Sequence, residues 1–261
     1  MIDTMQALLA ALSGIAVGFT LGLVGGGGSI LAVPLMVYVV GVKSPHLAIG
    51  TSALAVAANA LAGLANHARA HNVNWRCGGT YALAGVLGAF AGSTLGKAVD
   101  GQKLLFLFAL LMLVVAGLMF RGRGDTGVEG VVCNRDNFPK VASFGFGTGT
   151  LSGFFGIGGG FLIVPGLIAS TSMPIYRAIG TSLVAVSAFG LTTALNYAAS
   201  GLLDWGIAAS FIAGGVLGSM GGTKAAKRLS GNKGTLNTVF AAMIVLVALY
   251  TLYKSWLAMA G

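Results

Sequence analysis

The chain has 261 residues, of which 56% are hydrophobic and only 8% charged, with 43 glycines. An ordinary soluble domain is about 25% charged. The composition therefore excludes a normal cytosolic enzyme, a disordered chain and a nucleic-acid binder, and points to an all-α polytopic membrane protein.

In chain order, apolar segments are predicted over roughly 5–23, 29–41, 47–69, 78–98 and 103–121. A polar stretch from Arg121 to Lys140 follows, then segments over roughly 142–155, 160–171, 176–199, 206–223 and 235–257. No Lys or Arg precedes Lys43, so a cleavable secretory signal with a basic start is not expected. Cys77 and Cys133 form no CxxC pair, and neither a metal site nor a disulfide framework follows from them.

The two halves read alike. Phe19 to Leu35 is FTLGLVGGGGSILAVPL, and Thr150 to Gly166 is TLSGFFGIGGGFLIVPG. With a shift of 131, Gly14, Gly18, Gly22, Gly25, Gly27, Gly28 and Pro34 fall on Gly145, Gly149, Gly153, Gly156, Gly158, Gly159 and Pro165. One residue is then lost and the shift becomes 130. Ala48-Ile49-Gly50-Thr51-Ser52 now matches Ala178-Ile179-Gly180-Thr181-Ser182, Asn66 matches Asn196, Trp75 matches Trp205, and Lys97 matches Lys227. A repeat of this length is a duplicated transporter-like half, not a solenoid unit. The expected organisation is a first repeat over 1–121, a cytoplasmic connecting loop over 122–141 and a second repeat over 142–261.

Two topologies compete. In one, the first two segments of each half form a single interrupted span. In the other they form a glycine-tipped helical hairpin, each half makes five passes, and the second half is inverted. The interrupted span divides the basic residues seven against eight. The hairpin places Arg69, Arg76, Arg121, Arg123, Arg135, Lys140, Arg177, Lys224, Lys227, Arg228 and Lys233 together, against Lys43, Lys97, Lys103 and Lys254. Only the hairpin gives a positive-inside bias. Two inverted repeats of about five helical segments with both termini outside are therefore expected.

Gly25-Gly26-Gly27-Gly28 with Ser29, and Gly156 to Gly160 (Gly156, Gly158, Gly159 and Gly160 among them), would be the hairpin tips. The segments that follow are short, which suggests that the tips stop near the midplane. Each opens a half-helix whose first N–H groups are unpaired and whose dipole is positive there. Two tips would bind an anion without buried Lys or Arg. Glycines spaced by four, such as Gly14/Gly18/Gly22, Gly88/Gly92/Gly96, Gly145/Gly149/Gly153 and Gly214/Gly218/Gly222, read instead as helix packing.

Thr51, Ser52, Thr181 and Ser182 recur about one turn into the third and eighth segments, where substrate lining competes with hydroxyls bonding back to their own helix. Asn59, whose counterpart is Phe189, is an intramembrane amide suited to helix–helix bonding or substrate contact. Asn66 and Asn196 read as interfacial. His67, the counterpart of Tyr197, reads as a surface histidine. Lys97, Lys227 and Arg177 read as snorkelling cations, with anion attraction at a vestibule as the alternative. All six acids, Asp3, Asp100, Asp125, Glu129, Asp136 and Asp204, fall in loops or termini. No carboxylate is placed for a proton relay, and no catalytic triad or metal-binding motif appears. An enzyme, a metal and a cofactor are not expected.

The paired motifs LGLVGGGGSILAVPL and GFFGIGGGFLIVPGL, each followed by AIGTS, resemble the TauE/SafE sulfite exporter family over nearly the whole chain. That resemblance implies a bacterial inner-membrane transporter for sulfite, sulfoacetate or a related organosulfonate. The implied partners are a small anion and the lipid bilayer, with a homodimer allowed and no nucleic acid. Alternating access is the expected mechanism. An anion channel using the same glycine hairpins is the alternative, and a non-transport membrane scaffold is a third class.

Overall fold

A computed structural model describes residues 3–121, 133, 137–156, 160–229 and 233–260. Among them are ten α-helices, one 3-10 segment and no strand. The helices are α1 (Thr4–Val24), α2 (Ala32–Tyr38), α3 (Pro45–Arg69), α4 (Trp75–Ala98) and α5 (Gly101–Arg121), then α6 (Phe138–Phe155), α7 (Gly160–Thr171), α8 (Ile175–Ala198), α9 (Trp205–Leu229) and α10 (Lys233–Ala260). The 3-10 segment, Gly25–Leu31, joins α1 to α2. Four helices are long and apolar enough to cross a membrane on their own composition: α1, α3, α8 and α9 over Trp205–Ala225.

Local chemistry sets several helix starts. The Asn74 side chain accepts the Cys77 N–H at 3.2 Å and caps α4. Asp204 Oδ1 accepts from the N–H groups of Gly206 and Ile207, both at 3.0 Å, and Asp100 Oδ1 does the same for Gln102 and Lys103 at 3.0 and 3.1 Å. Two of the six acids are thus occupied at helix N-termini.

Glycine then decides which helices touch. Gly14, Gly18 and Gly22 of α1 face Phe211, Gly215 and Ser219 of α9, so these two helices run parallel. Gly145, Gly149 and Gly153 of α6 face Tyr81, Gly85 and Ala89 of α4, again in parallel. At each of these glycines an added Cβ would meet the backbone of the facing helix. Lipid offers no hydrophobic drive for helix association, so such close backbone approach supplies the packing energy instead. In the middle, Gly63 of α3 lies beside Leu183 of α8, and Gly190 of α8 beside Ala53 and Ala57 of α3, so the central pair is antiparallel.

The outside of the bundle is apolar. Leu83, Leu87 and Phe90 of α4, Leu217 and Met220 of α9, and Leu246 and Trp256 of α10 are all exposed. In a bilayer these side chains face acyl chains. Cys77, fully buried at the start of α4, forms a disulfide with Cys133, with Cα atoms 5.3 Å apart. The two isolated cysteines suggest no such pairing in the sequence, because 56 residues separate them and only the fold brings them together.

Candidate functional site

Both glycine runs begin at a glycine with positive φ. α1 ends at Gly25, whose φ of 69° favours glycine. The chain then doubles back. Gly28 lies against Thr20 and Leu21, and at the far end Gln6 Nε2 donates to the Val40 carbonyl at 3.3 Å. In the second half α6 ends at Gly156 in the left-handed region, with φ of 67° and ψ of 20°. Gly158 and Gly159 lie outside the described residues; Gly160 is buried as the first residue of α7. Gly26 and Gly27 belong to the 3-10 segment, and Ser29 is fully buried within it.

Each turn is seated on the other half. The Cα of Gly25 faces Ile179 of α8, and that of Gly156 faces Ile49 of α3. A methyl group at either glycine would strike that isoleucine. The turns do not converge. His67 of α3 and Tyr176 of α8 stand with ring centroids 6.2 Å apart, which puts Ile179 near the level of residue 67. From Ile49 to that level along α3 is about 27 Å at about 1.5 Å per residue. The Gly25 turn and the Gly156 turn therefore occupy opposite ends of the central helix pair.

The AIGTS blocks divide their hydroxyls between two tasks. Ser52 Oγ donates to the Ile49 carbonyl at 3.0 Å, and Ser182 Oγ to the Ile179 carbonyl at 2.7 Å, each within its own helix. The threonines reach across the halves. Thr51 Oγ1 accepts the Asp204 N–H at 3.0 Å, and Thr181 Oγ1 accepts the Asn74 N–H at 2.9 Å. Gly50 and Gly180 let this happen, because their Cα atoms press on the carbonyls of Leu202 and Asn72. Each of these contacts has its twin at a shift of 130.

Between the two ends sits Asn59. It is 0% exposed and lies against Gly215 of α9, while its counterpart Phe189 lies against Gly85 of α4. Both amide atoms of Asn59, Oδ1 and Nδ2, have no hydrogen-bond partner. A buried amide left this way costs about 1–3 kcal/mol. At this matched position the two halves differ in chemistry: an amide in one, an aromatic ring in the other.

Three further clusters escaped the sequence reading. His67 is not a surface residue: it is 1% exposed, with Nδ1 3.1 Å from Asn72 Nδ2. Asn196 is not merely interfacial: its Nδ2 donates to Ser93 Oγ at 2.6 Å and Thr94 Oγ1 at 3.0 Å. His46 and Tyr197 pair at 6.3 Å at one end as Tyr176 and His67 do at the other. The signal was present in the alignment of the halves, where positions 46 and 176, and 67 and 197, exchange His for Tyr.

A bundle so apolar outside, joined through glycine and holding an unpaired amide at its centre, is a multi-pass helical membrane protein, and comparison makes it a membrane transporter. The chain belongs to the family described as Sulfite exporter TauE/SafE, whose model matches residues 10–251. A protein of Xylella fastidiosa, named a probable membrane transporter protein, is 53% identical over 255 residues, covering 97% of this chain and 98% of its own. A Methanocaldococcus jannaschii protein of the same description is 28% identical over 195 residues, 70% of each chain. The probable membrane transporter protein YunE of Bacillus subtilis is 22% identical over 271 residues, 96% of this chain and 98% of its own. No solved structure matches the chain.

Proposed function

We propose that this transporter exports a small sulfur-containing anion, sulfite, sulfoacetate or a related organosulfonate, across a bacterial inner membrane by alternating access. Residues 1–121 and 142–261 act as two inverted repeats with glycine-tipped hairpins, joined by a cytoplasmic loop over 122–141, with both termini outside. The observation that carries this reading is the reciprocal seating of the glycine turns, Gly25 on Ile179 and Gly156 on Ile49. The antiparallel course of α3 and α8 and the twinned Thr51 and Thr181 bonds support it. Each turn with the opposite half's isoleucine forms a gate at one end of the bundle. Rocking one half against the other loosens one gate and tightens the other.

The central anion contact falls to Asn59 Nδ2, whose donors have no protein acceptor. Thr51 and Thr181 accept backbone N–H groups and keep their own protons to donate as the anion passes. No acid stands in the described membrane segments except at helix ends, so the driving force is electrical. An interior-negative potential expels an anion with about 2.3 kcal/mol per charge per 100 mV.

The test is efflux of sulfite or sulfoacetate from proteoliposomes under an imposed potential. Saturable efflux accelerated by interior-negative potential supports the carrier. Efflux blind to potential removes the electrogenic step. Single-channel currents would replace the carrier with a channel.

A further inference from the structure

At the Gly156 end, Lys97 lies half-buried at the end of α4 and donates to three neutral oxygens: the Asn196 carbonyl at 3.1 Å, Asn196 Oδ1 at 2.9 Å and Ser200 Oγ at 2.8 Å. Its ammonium also stands 5.9 Å from the centre of the Tyr197 ring. The two acids flanking this end, Asp100 and Asp204, are turned onto the backbone N–H groups of α5 and α9. Lys97 is thus a positive charge bonded to dipoles rather than to a carboxylate.

Beneath it lie two polar atoms with nothing to bond. Tyr197 is 0% exposed, and its hydroxyl has no partner. His46, whose ring centroid is 6.3 Å from that of Tyr197, has a buried Nδ1 with no partner either. Gly50 packs on the Tyr197 Cβ, and the neighbouring Ile49 carries the Gly156 turn. Charge, orphaned hydroxyl, orphaned imidazole nitrogen and glycine turn therefore share one end of the bundle.

The other end is different. There Asn72 Nδ2 stands 3.1 Å from His67 Nδ1 and donates to the Tyr176 backbone carbonyl at 2.8 Å, so an amide engages one ring nitrogen of the histidine while Nε2 stays without a partner. The residue matching Asn72 at the Gly156 end is Leu202, which has no amide to offer.

We propose that Lys97, Tyr197 and His46 form a second anion-binding station, separate from Asn59, that takes a small oxyanion of the transported class at the Gly156 gate. Lys97 supplies the charge, exchanging an amide or hydroxyl oxygen for an anionic one. The Tyr197 hydroxyl supplies a directed donor, and His46 supplies a second when Nδ1 carries the ring proton. The station rests on the transporter reading and adds to it a place where the anion pauses outside the central amide.

The experiment measures thermal stabilisation of the full chain in lipid nanodiscs by sulfite and by sulfoacetate, with chloride at equal ionic strength as control. Tyr197→Phe, which keeps the ring and removes one oxygen, and Lys97→Gln should each weaken the apparent affinity about tenfold. Tyr176→Phe, at the opposite end, should leave it unchanged. Asn59→Leu should leave a residual stabilisation that Lys97→Gln then removes. Wild-type affinity in both Tyr197→Phe and Lys97→Gln overturns the station while leaving the transporter reading intact. A wild-type protein stabilised by neither anion beyond chloride overturns both.

Discussion

Thr181 Oγ1 accepts the backbone N–H of Asn74 at 2.9 Å, although 107 residues separate them. Asn74 caps α4, so a hydroxyl of one half holds the first turn of a helix in the other. Thr51 and Asp204 repeat the arrangement at the opposite end, at 3.0 Å. Removing the hydroxyl takes this acceptor away from a part-buried N–H. Thr181→Val should destabilise the protein by about 1–3 kcal/mol, and Thr51→Val by a similar amount. Thr181→Ser should recover most of the loss. Thermal unfolding in detergent or nanodiscs measures all three, and equal melting of Thr181→Val and wild type would remove the latch from the account.

The glycines of α4 are not equivalent. An added Cβ at Gly92 would strike the Thr150 carbonyl of α6, whereas at Gly79 nothing lies within 4 Å. Gly92→Ala should force the two helices apart at a cost of about 1–3 kcal/mol or more. Gly79→Ala should be neutral or slightly stabilising, since alanine is the better helix former by about 1 kcal/mol. The ratio of monodisperse protein after extraction, followed by melting temperature, separates the two variants.

Asn59→Leu separates stability from transport. The variant removes a buried amide that has no partner, so its melting temperature should hold or rise. Potential-driven efflux of sulfite or sulfoacetate should nevertheless fall at least about tenfold. A variant that melts higher and transports normally would take the central contact away from Asn59.

The Cys77–Cys133 bond closes a loop of 56 residues. A bond of that span stabilises by about 2–4 kcal/mol where it forms. If the connecting loop faces the cytoplasm, as proposed, the cellular pool should hold it as a dithiol and oxidation after extraction should close it. Thiol-blocking in intact cells followed by mass spectrometry of the 77 and 133 peptides reads the state directly. A fully oxidised pair in fresh cells would place that face outside and reverse the orientation.

Much of the bundle is legible in the sequence for a simple reason. Helix limits follow local composition: the apolar run ending at Arg69 and the one beginning at Trp205 both stop where polar residues and caps begin. The halves announce their kinship through glycines, because close packing tolerates nothing else at Gly18 or Gly149. What composition does not carry is which surface each motif meets. The AIGTS blocks leave lining and back-bonding open in the sequence; Ser52 and Ser182 bond back to their own helices, and Thr51 and Thr181 also hold loops that lie far away in the chain. The glycine runs suggest a shared midpoint, yet Gly25 and Gly156 rest on isoleucines at opposite ends. His67 next to Arg69 looks interfacial, and only the arrival of Tyr176 and Asn72 buries it.

The parallel seam between α1 and α9 has a consequence for how the protein is made. Gly18 and the Gly215 it faces are separated by about three quarters of the chain. At about 5–20 residues per second, α1 leaves the ribosome roughly ten to forty seconds before its partner exists. During that interval its row of glycines is a bare groove in the bilayer, open to lipid, to the translocation machinery or to another nascent chain. Synthesis of this transporter therefore includes a waiting period. α1 enters the membrane well before α9 and is locked in place only when α9 arrives.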